Sequence, residues 1–185
     1  YIRKAVSERY YPDMETKRAL HKELAQWFEG QPLDRHAAKE QAAQMWMASD
    51  YKALLDLLSD RSIFDLVSQM GGKKRLQRYW HEIEAALGVT PLDHYKGLWE
   101  QWRAEMSFNQ RMSMSARLQS FLRYCGAVDD FLLQLSLDYL QDCRTAYGDA
   151  DIRYLQQMGN CAETLAAHRD YLERARLLAE QACLD

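Results

Sequence analysis

Apolar residues recur at three- and four-residue spacings along most of the chain, which is the periodicity of amphipathic α-helices. A first helix is predicted over residues 2–10, because a residue that precedes proline, here Pro12, is disfavoured in the helical conformation. Asp13 is expected to cap a second helix, which Gly30 and Pro32 end. Four residues form the predicted apolar stripe of that helix: Ala19, Leu20, Leu24 and Phe28.

The same periodicity predicts further helices up to about residue 105. Asp34 is expected to cap the third helix, and Ser49-Asp50 restarts the chain into another helical segment. Gly71-Gly72 and Gly88 end later segments. Thr90-Pro91 starts the next one, since proline at the first helical position needs no N–H. The residues expected on apolar helix faces are Ala38, Ala42, Met45, Trp46, Tyr51, Leu54, Leu55, Leu58, Ile63, Phe64, Val67, Leu76, Tyr79, Trp80, Ile83, Leu87, Leu92, Tyr95, Leu98, Trp99 and Trp102.

The packing style is expected to change along the chain, because all five tryptophans precede residue 103. The predicted fold class is all-α, with a helical bundle or linker region over 1–105 and a second region over 106–185. The polar stretch from Ser107 to Ser115 is interpreted as the junction. Beyond it, two helical hairpins are expected, with helices at about 115–125, 128–142, 150–167 and 170–183.

Composition excludes several functions. Apolar residues make up 48% and charged residues 28% of the 185 residues, a mixture that can bury a core. The formal net charge of −3 gives no basic footprint for nucleic acid. No apolar run approaches the roughly 18 residues that span a bilayer, and the first residues lack a secretory signal. The chain is therefore expected to be cytoplasmic and to bind neither nucleic acid nor a membrane. Its start on Tyr1 inside a helical pattern is interpreted as a cut from a longer protein.

Neither a metal site nor a cofactor is predicted. The cysteines lack the close pairs of zinc sites, and no two histidines share a helical face at i, i+4 spacing. The basic cluster Lys73-Lys74-Arg75 with Arg78 is interpreted as a solvated helix start rather than a phosphate-binding site. The Asp129-Asp130 pair is expected to favour a helix N-terminus rather than to hold a metal ion. The cysteines, interpreted as reduced and mostly buried, are Cys125, Cys143, Cys161 and Cys183.

Several short segments, taken in order, carry a likeness to a known family. They are Ile2-Arg3-Lys4-Ala5-Val6 with Arg9-Tyr10, Arg18-Ala19-Leu20-His21-Lys22-Glu23-Leu24-Ala25 with Trp27-Phe28, Ala48-Ser49-Asp50-Tyr51, Leu54-Leu55-Asp56-Leu57-Leu58 with Phe64, and Leu76-Gln77-Arg78-Tyr79-Trp80. This order resembles the helical region that follows the nucleotide-binding core of STAND NTPases of the NACHT class, including nephrocystin-type and telomerase-associated proteins. The resemblance covers residues 1 to about 95 and leaves open whether residues 1–30 end a winged-helix domain.

The second region is similar to tetratricopeptide repeats of the longer kinesin-light-chain type. The residues that carry this likeness are Tyr139-Leu140, Tyr147-Gly148-Asp149, Tyr171, Ala175, Ala179 and Ala182. The resemblance implies antiparallel helical hairpins stacked as a short right-handed α-solenoid, because a single hairpin buries its apolar face only against neighbours. It also places Arg117 and Asn160 on the concave groove of the repeats.

These resemblances imply a protein-binding role and no catalytic residues in this chain. The leading expectation is the sensor or regulatory arm of a STAND-type signalling ATPase. Its partner would be a protein or peptide trigger, or the chain's own upstream ATPase domain, which the arm restrains. Two alternatives stay open: a free-standing tetratricopeptide-type adaptor or scaffold, and a helical enzyme whose site converges from several helices. The enzyme alternative requires a deep pocket with coupled titratable groups.

Overall fold

A computed structural model describes residues 13–69, 71–127 and 130–147, and every regular element within these ranges is an α-helix. The predicted all-α class is therefore confirmed for this part of the chain. The helices predicted over 2–10, 150–167 and 170–183 lie outside it. In chain order the described helices are α1 (Met14–Glu29), α2 (Arg35–Met47), α3 (Tyr51–Ser59), α4 (Arg61–Ser68), α5 (Gly72–Leu87), α6 (Pro91–Glu105), α7 (Phe108–Tyr124) and α8 (Asp130–Tyr147).

Aspartates cap the first four of these helices. The carboxylates of Asp13, Asp34 and Asp50 each accept a hydrogen bond from the backbone N–H three residues later, at 2.7, 2.7 and 3.2 Å. Each bond satisfies a donor that a helix start leaves unpaired, and these predicted caps are confirmed. The Asp60 carboxylate accepts from the N–H groups two and three residues later. This cap starts α4 where the apolar pattern alone predicts no break.

The described residues fall into two compact units that divide between Leu98 and Trp99, within α6. The first unit buries one face each of α3, α4 and α5 together with the start of α6. Removing each large apolar side chain from water stabilises the folded state by about 1.5–3 kcal/mol. The core of the first unit is thus built from the apolar faces that the sequence predicts. Its largest fully buried side chains are Leu54, Leu58, Phe64, Leu76, Trp80, Ile83 and Tyr95.

The apolar stripe predicted on α1 is wrong. Ala19 and Leu24 are exposed, and Leu20 and Phe28 are half-buried, whereas Ala25 is the residue that this helix buries. Among the helices that the structure describes, α1 packs mainly against α2. The small side chain of Ala25 allows a close approach between these two helices. Much of the apolar surface of α1 is left at the outside of the unit.

The second unit contains α7 and α8, which pack as an antiparallel pair. The segment from Ser107 to Ser115, interpreted as a polar junction, is instead the start of α7. The backbone N–H of Ser107 donates to the side-chain oxygen of Gln110 at 2.9 Å, which supports the helix start. Met106 and Met114 are buried on either side of this start, so the segment belongs to the core rather than to a linker.

A buried polar cluster sets the register of α7 against α8. The Gln119 amide nitrogen donates to Ser115 Oγ at 3.1 Å and to the Leu135 carbonyl at 3.3 Å. The Gln119 amide oxygen accepts from Ser136 Oγ at 3.1 Å. Buried polar groups are costly without partners, so these bonds disfavour any shifted pairing of the two helices.

Candidate functional site

A pocket of about 220 Å³ lies between α2 and α5. Both helices contribute residues at three- and four-residue spacings, so each presents one side of its surface to the pocket. We call it the basic–aromatic pocket. Its lining residues are Glu40, Ala43, Trp46 and Met47 from α2, and Arg75, Arg78 and Tyr79 from α5.

Aromatic rings form one wall of this pocket. The rings of Trp46 and Tyr79 lie with their centroids 5.9 Å apart and their planes inclined by 45°. The guanidinium carbon of Arg78 lies 5.2 Å from the centroid of the Trp46 ring. At this distance the cation is attracted by the electron-rich face of the indole ring. The wall therefore holds a positive charge next to an aromatic surface.

Arg75 approaches the same wall from one helical turn before Tyr79. Its side chain donates a hydrogen bond to the Tyr79 hydroxyl. Burial raises the pKa of Tyr79 above its ordinary value, an effect that the positive charge of Arg75 opposes and the negative charge of Glu40 reinforces. The phenol is consequently neutral at pH 7 and acts as an acceptor that positions Arg75.

The charge of the pocket is positive. Arg75 and Arg78 face one acidic lining residue, Glu40. Among the described residues, neither arginine forms an ion pair with a carboxylate. The pKa of nearby Lys39 is lowered, first by burial and then by the positive charges of Arg35 and Arg75. A site with this chemistry attracts an anionic group and packs a planar or apolar group beside it.

A second feature is an exposed apolar surface where α1 leads into α2. Trp27 and Leu33 are 58% and 55% exposed. The Trp27 ring packs edge-on against Phe28 at 4.9 Å, and Phe28 contacts the ring of His36 at 6.1 Å. We call these four residues the aromatic tip. Exposed clusters of large apolar side chains mark surfaces that other proteins cover.

A contact between Ser59 and His94 bears on the enzyme alternative. Ser59 Oγ lies 2.8 Å from His94 Nε2 and donates to the Leu55 carbonyl at 2.7 Å. Either group can donate in the Ser59–His94 contact, because the direction of this bond depends on the tautomer of the imidazole. Burial lowers the pKa of His94, and the negative charge of Asp56 opposes this effect. Both side chains are half-buried, and their contact joins the end of α3 to the start of α6.

The two residues predicted to line a concave groove are not brought together. Arg117 is half-buried on α7, and Asn160 lies outside the described residues, so their shared groove stays a prediction. Cys125 is a half-buried free thiol and Cys143 a buried one, whose pKa is raised chiefly by burial. The other two cysteines, Cys161 and Cys183, also lie outside the described residues.

Sequence reasoning missed the basic–aromatic pocket. Tyr79 is buried as predicted, and Arg75 and Arg78 are exposed near the helix start as the solvated interpretation expects. The prediction did not bring these residues together with Trp46. The four-residue spacing of Arg75 and Tyr79 is a signal that the two side chains share a helix face. The sequence contains no signal that places α2 against α5, because α3 and α4 separate these helices along the chain.

Comparisons of the chain with known protein families, with curated proteins and with solved structures found no match. Among the helices that the structure describes, none combines the length and the apolar character that crossing a membrane requires. The same residues contain no group of three or more His, Cys, Asp or Glu side chains that could hold a metal ion.

Proposed function

We propose that this chain is a protein-binding helical arm, the sensor or regulatory region of a STAND-type signalling ATPase. In a cytoplasmic setting it recognises a protein trigger or restrains the ATPase core of its own protein. The observation that carries the proposal is the aromatic tip, where Trp27 is 58% exposed at the end of a helical pair. The order of short segments that resembles the NACHT-class helical region adds to it.

The energetics of Trp27 suit a binding hot spot. A partner that covers the exposed part of the indole removes on the order of 140 Å² of apolar surface from water, worth about 3 kcal/mol. Tryptophan is enriched among the few residues that dominate protein–protein affinity. Packing against Phe28 also holds the indole in place before a partner arrives, which lowers the entropy lost on binding.

The helical pairs also suit the proposed α-solenoid. α7 and α8 are 17 and 18 residues long and pack antiparallel around the Gln119 cluster. Pairs of this kind stack on further pairs and leave a curved surface for recognition. The tetratricopeptide-like arrangement, with Arg117 and Asn160 on its concave side, is part of the proposal.

The reading frame upstream of Tyr1 is the first test. A phosphate loop followed by an acidic metal-binding strand supports an arm attached to an ATPase core. An initiator methionine directly before Tyr1 overturns that role and favours the free-standing adaptor.

A variant of the full-length protein provides the second test. Trp27→Ser removes the exposed indole, and Met14→Ser is a matched control, because Met14 is 62% exposed near the other end of the same helix. ATP turnover and trigger-dependent oligomerisation are measured for both. We expect Trp27→Ser to change ATP turnover or oligomerisation at least about tenfold, which corresponds to about 1.4 kcal/mol of lost binding free energy. Met14→Ser should change neither quantity by more than about twofold. Equal behaviour of the two variants contradicts the role of the tip.

A further inference from the structure

The size of the basic–aromatic pocket limits what it can hold. Its volume of about 220 Å³ is below the roughly 300–1,000 Å³ of sites for drug-sized molecules and cofactors. A volume of this size suits a single anchoring side chain of a longer ligand. The half-buried ring of Trp46 favours a planar anchor, because aromatic rings pack on one another at centroid distances of about 4.5–7 Å.

The lining of the pocket carries a net positive charge, because two arginines, Arg75 and Arg78, face one carboxylate, that of Glu40. Arg75 belongs to the first turn of α5, together with Lys73 and Lys74, and this turn contains no acidic residue. The dipole of a helix disfavours positive charge at its N-terminus. A carboxylate supplied by a ligand therefore pairs with Arg75 and complements the dipole of α5.

Glu40 limits how negative the ligand can be. Its carboxylate lines the same pocket as Arg75 and Arg78, so it repels a phosphate, which concentrates two charges on one group, more strongly than carboxylates that a peptide holds apart. Nucleic acid is disfavoured as well, because its binding requires a broad basic surface and the chain carries a net charge of −3. Arginine also binds carboxylates through two parallel N–H bonds.

We propose that the basic–aromatic pocket binds an acidic peptide segment of a partner protein. An aromatic side chain of the peptide packs against Trp46, and carboxylates on either side of it bind Arg75 and Arg78. This inference rests on the proposed protein-binding role and identifies one class of partner segment. It uses residues separate from the aromatic tip, so the two can fail independently.

The test uses the complete 185-residue chain, labelled with ¹⁵N, and three capped peptides. The first contains Glu-Phe-Glu, the second Gln-Phe-Gln and the third Glu-Ala-Glu, each flanked by glycines. We expect the first peptide to shift the indole N–H signal of Trp46 and to bind at least about tenfold more tightly than the other two, because each lacks either the charge or the ring. Its affinity should fall as salt is raised.

Variants locate the binding. We expect the double variant Arg75→Gln/Arg78→Gln to bind the Glu-Phe-Glu peptide at least about tenfold more weakly than the wild type. Lys74→Gln is the matched control, because this lysine is exposed in the same turn of α5 and does not line the pocket. Its affinity should stay within about twofold of the wild type. Circular dichroism confirms that each variant is folded, and the single variant Arg78→Gln replaces the double variant if the latter unfolds.

Four results overturn the inference. The first is that the Glu-Phe-Glu peptide leaves the Trp46 signal unchanged, and the second is that the Gln-Phe-Gln peptide binds equally well. The third is that inorganic phosphate produces the same shifts at the same affinity. The fourth is that Lys74→Gln weakens binding as much as the arginine variants do. The last two results reveal an unspecific attraction for anions. None of them bears on the Trp27→Ser test, so the arm's role as a protein binder is judged separately.

Discussion

The guanidinium group of Arg78 lies over the indole ring of Trp46, with 5.2 Å between the guanidinium carbon and the ring centroid. Trp46 belongs to α2 and Arg78 to α5, so the contact joins two helices that are distant along the chain. It positions the charge of Arg78 at the mouth of the basic–aromatic pocket. The same contact that builds the proposed binding site is therefore also expected to stabilise the first unit.

A double-mutant cycle measures this contact. Trp46→Leu and Arg78→Gln, alone and combined, should show a coupling energy of about 0.5–1 kcal/mol, as a cation–π pair at a half-exposed site provides. Urea unfolding of the four proteins gives the value. The cycle of Trp46→Leu with Lys74→Gln is the control, because Lys74 does not line the pocket. Equal coupling in both cycles contradicts a specific Arg78–Trp46 contact.

Substitution by alanine should have opposite effects on stability at two glycines, Gly72 and Gly97. A Cβ atom on Gly72 would lie 1.9 Å from the carbonyl oxygen of Val67, so Gly72→Ala forces the start of α5 to move. We expect it to lower the free energy of unfolding by at least about 1–3 kcal/mol. Gly97 is exposed within α6 and has no heavy atom within 4 Å of such a Cβ. Gly97→Ala should raise the free energy of unfolding by about 0.5–1 kcal/mol, because glycine loses more backbone entropy in a helix.

Thermal and urea unfolding compare both variants with the wild type. A similar loss of stability in the two variants would contradict the tight contact at Gly72 and assign both effects to a general sensitivity of the helices.

Helix starts could be predicted from the sequence because their chemistry is local. A carboxylate such as that of Asp34 reaches a backbone N–H three residues away whatever packs around the helix. The start of α6 follows the same logic, since Thr90 Oγ1 accepts from the N–H of Asp93 at 3.1 Å and Pro91 is the first helical residue. Buried stripes on helices with several neighbours, such as the one containing Trp80, were also predictable from period alone.

Features that depend on which helices meet could not be predicted. Leu24 is exposed because the face of α1 that meets α2 is the one with Ala25, and the periodicity of α1 does not reveal which face that is. The pocket around Trp46 requires two helices from different parts of the chain. Ser107 and Gln110 carry a capping signal, yet the polar composition around them favours a linker interpretation. The polar residues in this segment favour a linker, whereas Met114 is buried in the core of the second unit. The segment is helical because this burial outweighs the local polarity.

The Gln119 cluster should respond differently to single and combined substitutions. Gln119→Leu removes the amide that bonds to Ser115, Ser136 and the Leu135 carbonyl. We expect it to lower the free energy of unfolding by about 1–3 kcal/mol, because buried polar groups lose partners. The triple variant Ser115→Ala/Gln119→Leu/Ser136→Ala removes most of these polar groups together and should recover part of the loss. Urea unfolding gives both values, and a triple variant less stable than Gln119→Leu contradicts the account.

The stability of the first unit should depend on pH through His94. Burial against neighbours that include Trp80 and Tyr95 lowers the pKa of His94 below its ordinary 6.5, and the negative charge of Asp56 opposes this only in part. As pH falls below 6.5 the unfolded chain takes up a proton on this residue before the folded chain does. The stability present above that pH is therefore lost progressively as pH falls through the lowered folded value.

Urea unfolding at several pH values between about 7.5 and 5 tests this dependence. Over this range the free energy of unfolding should fall more steeply for the wild type than for His94→Gln, which cannot take up the proton. His81→Gln is the matched control, because His81 is exposed on α5, and its curve should run parallel to that of the wild type. If the wild-type and His94→Gln curves run parallel instead, the pKa of the half-buried His94 is not lowered by folding, and this account is contradicted.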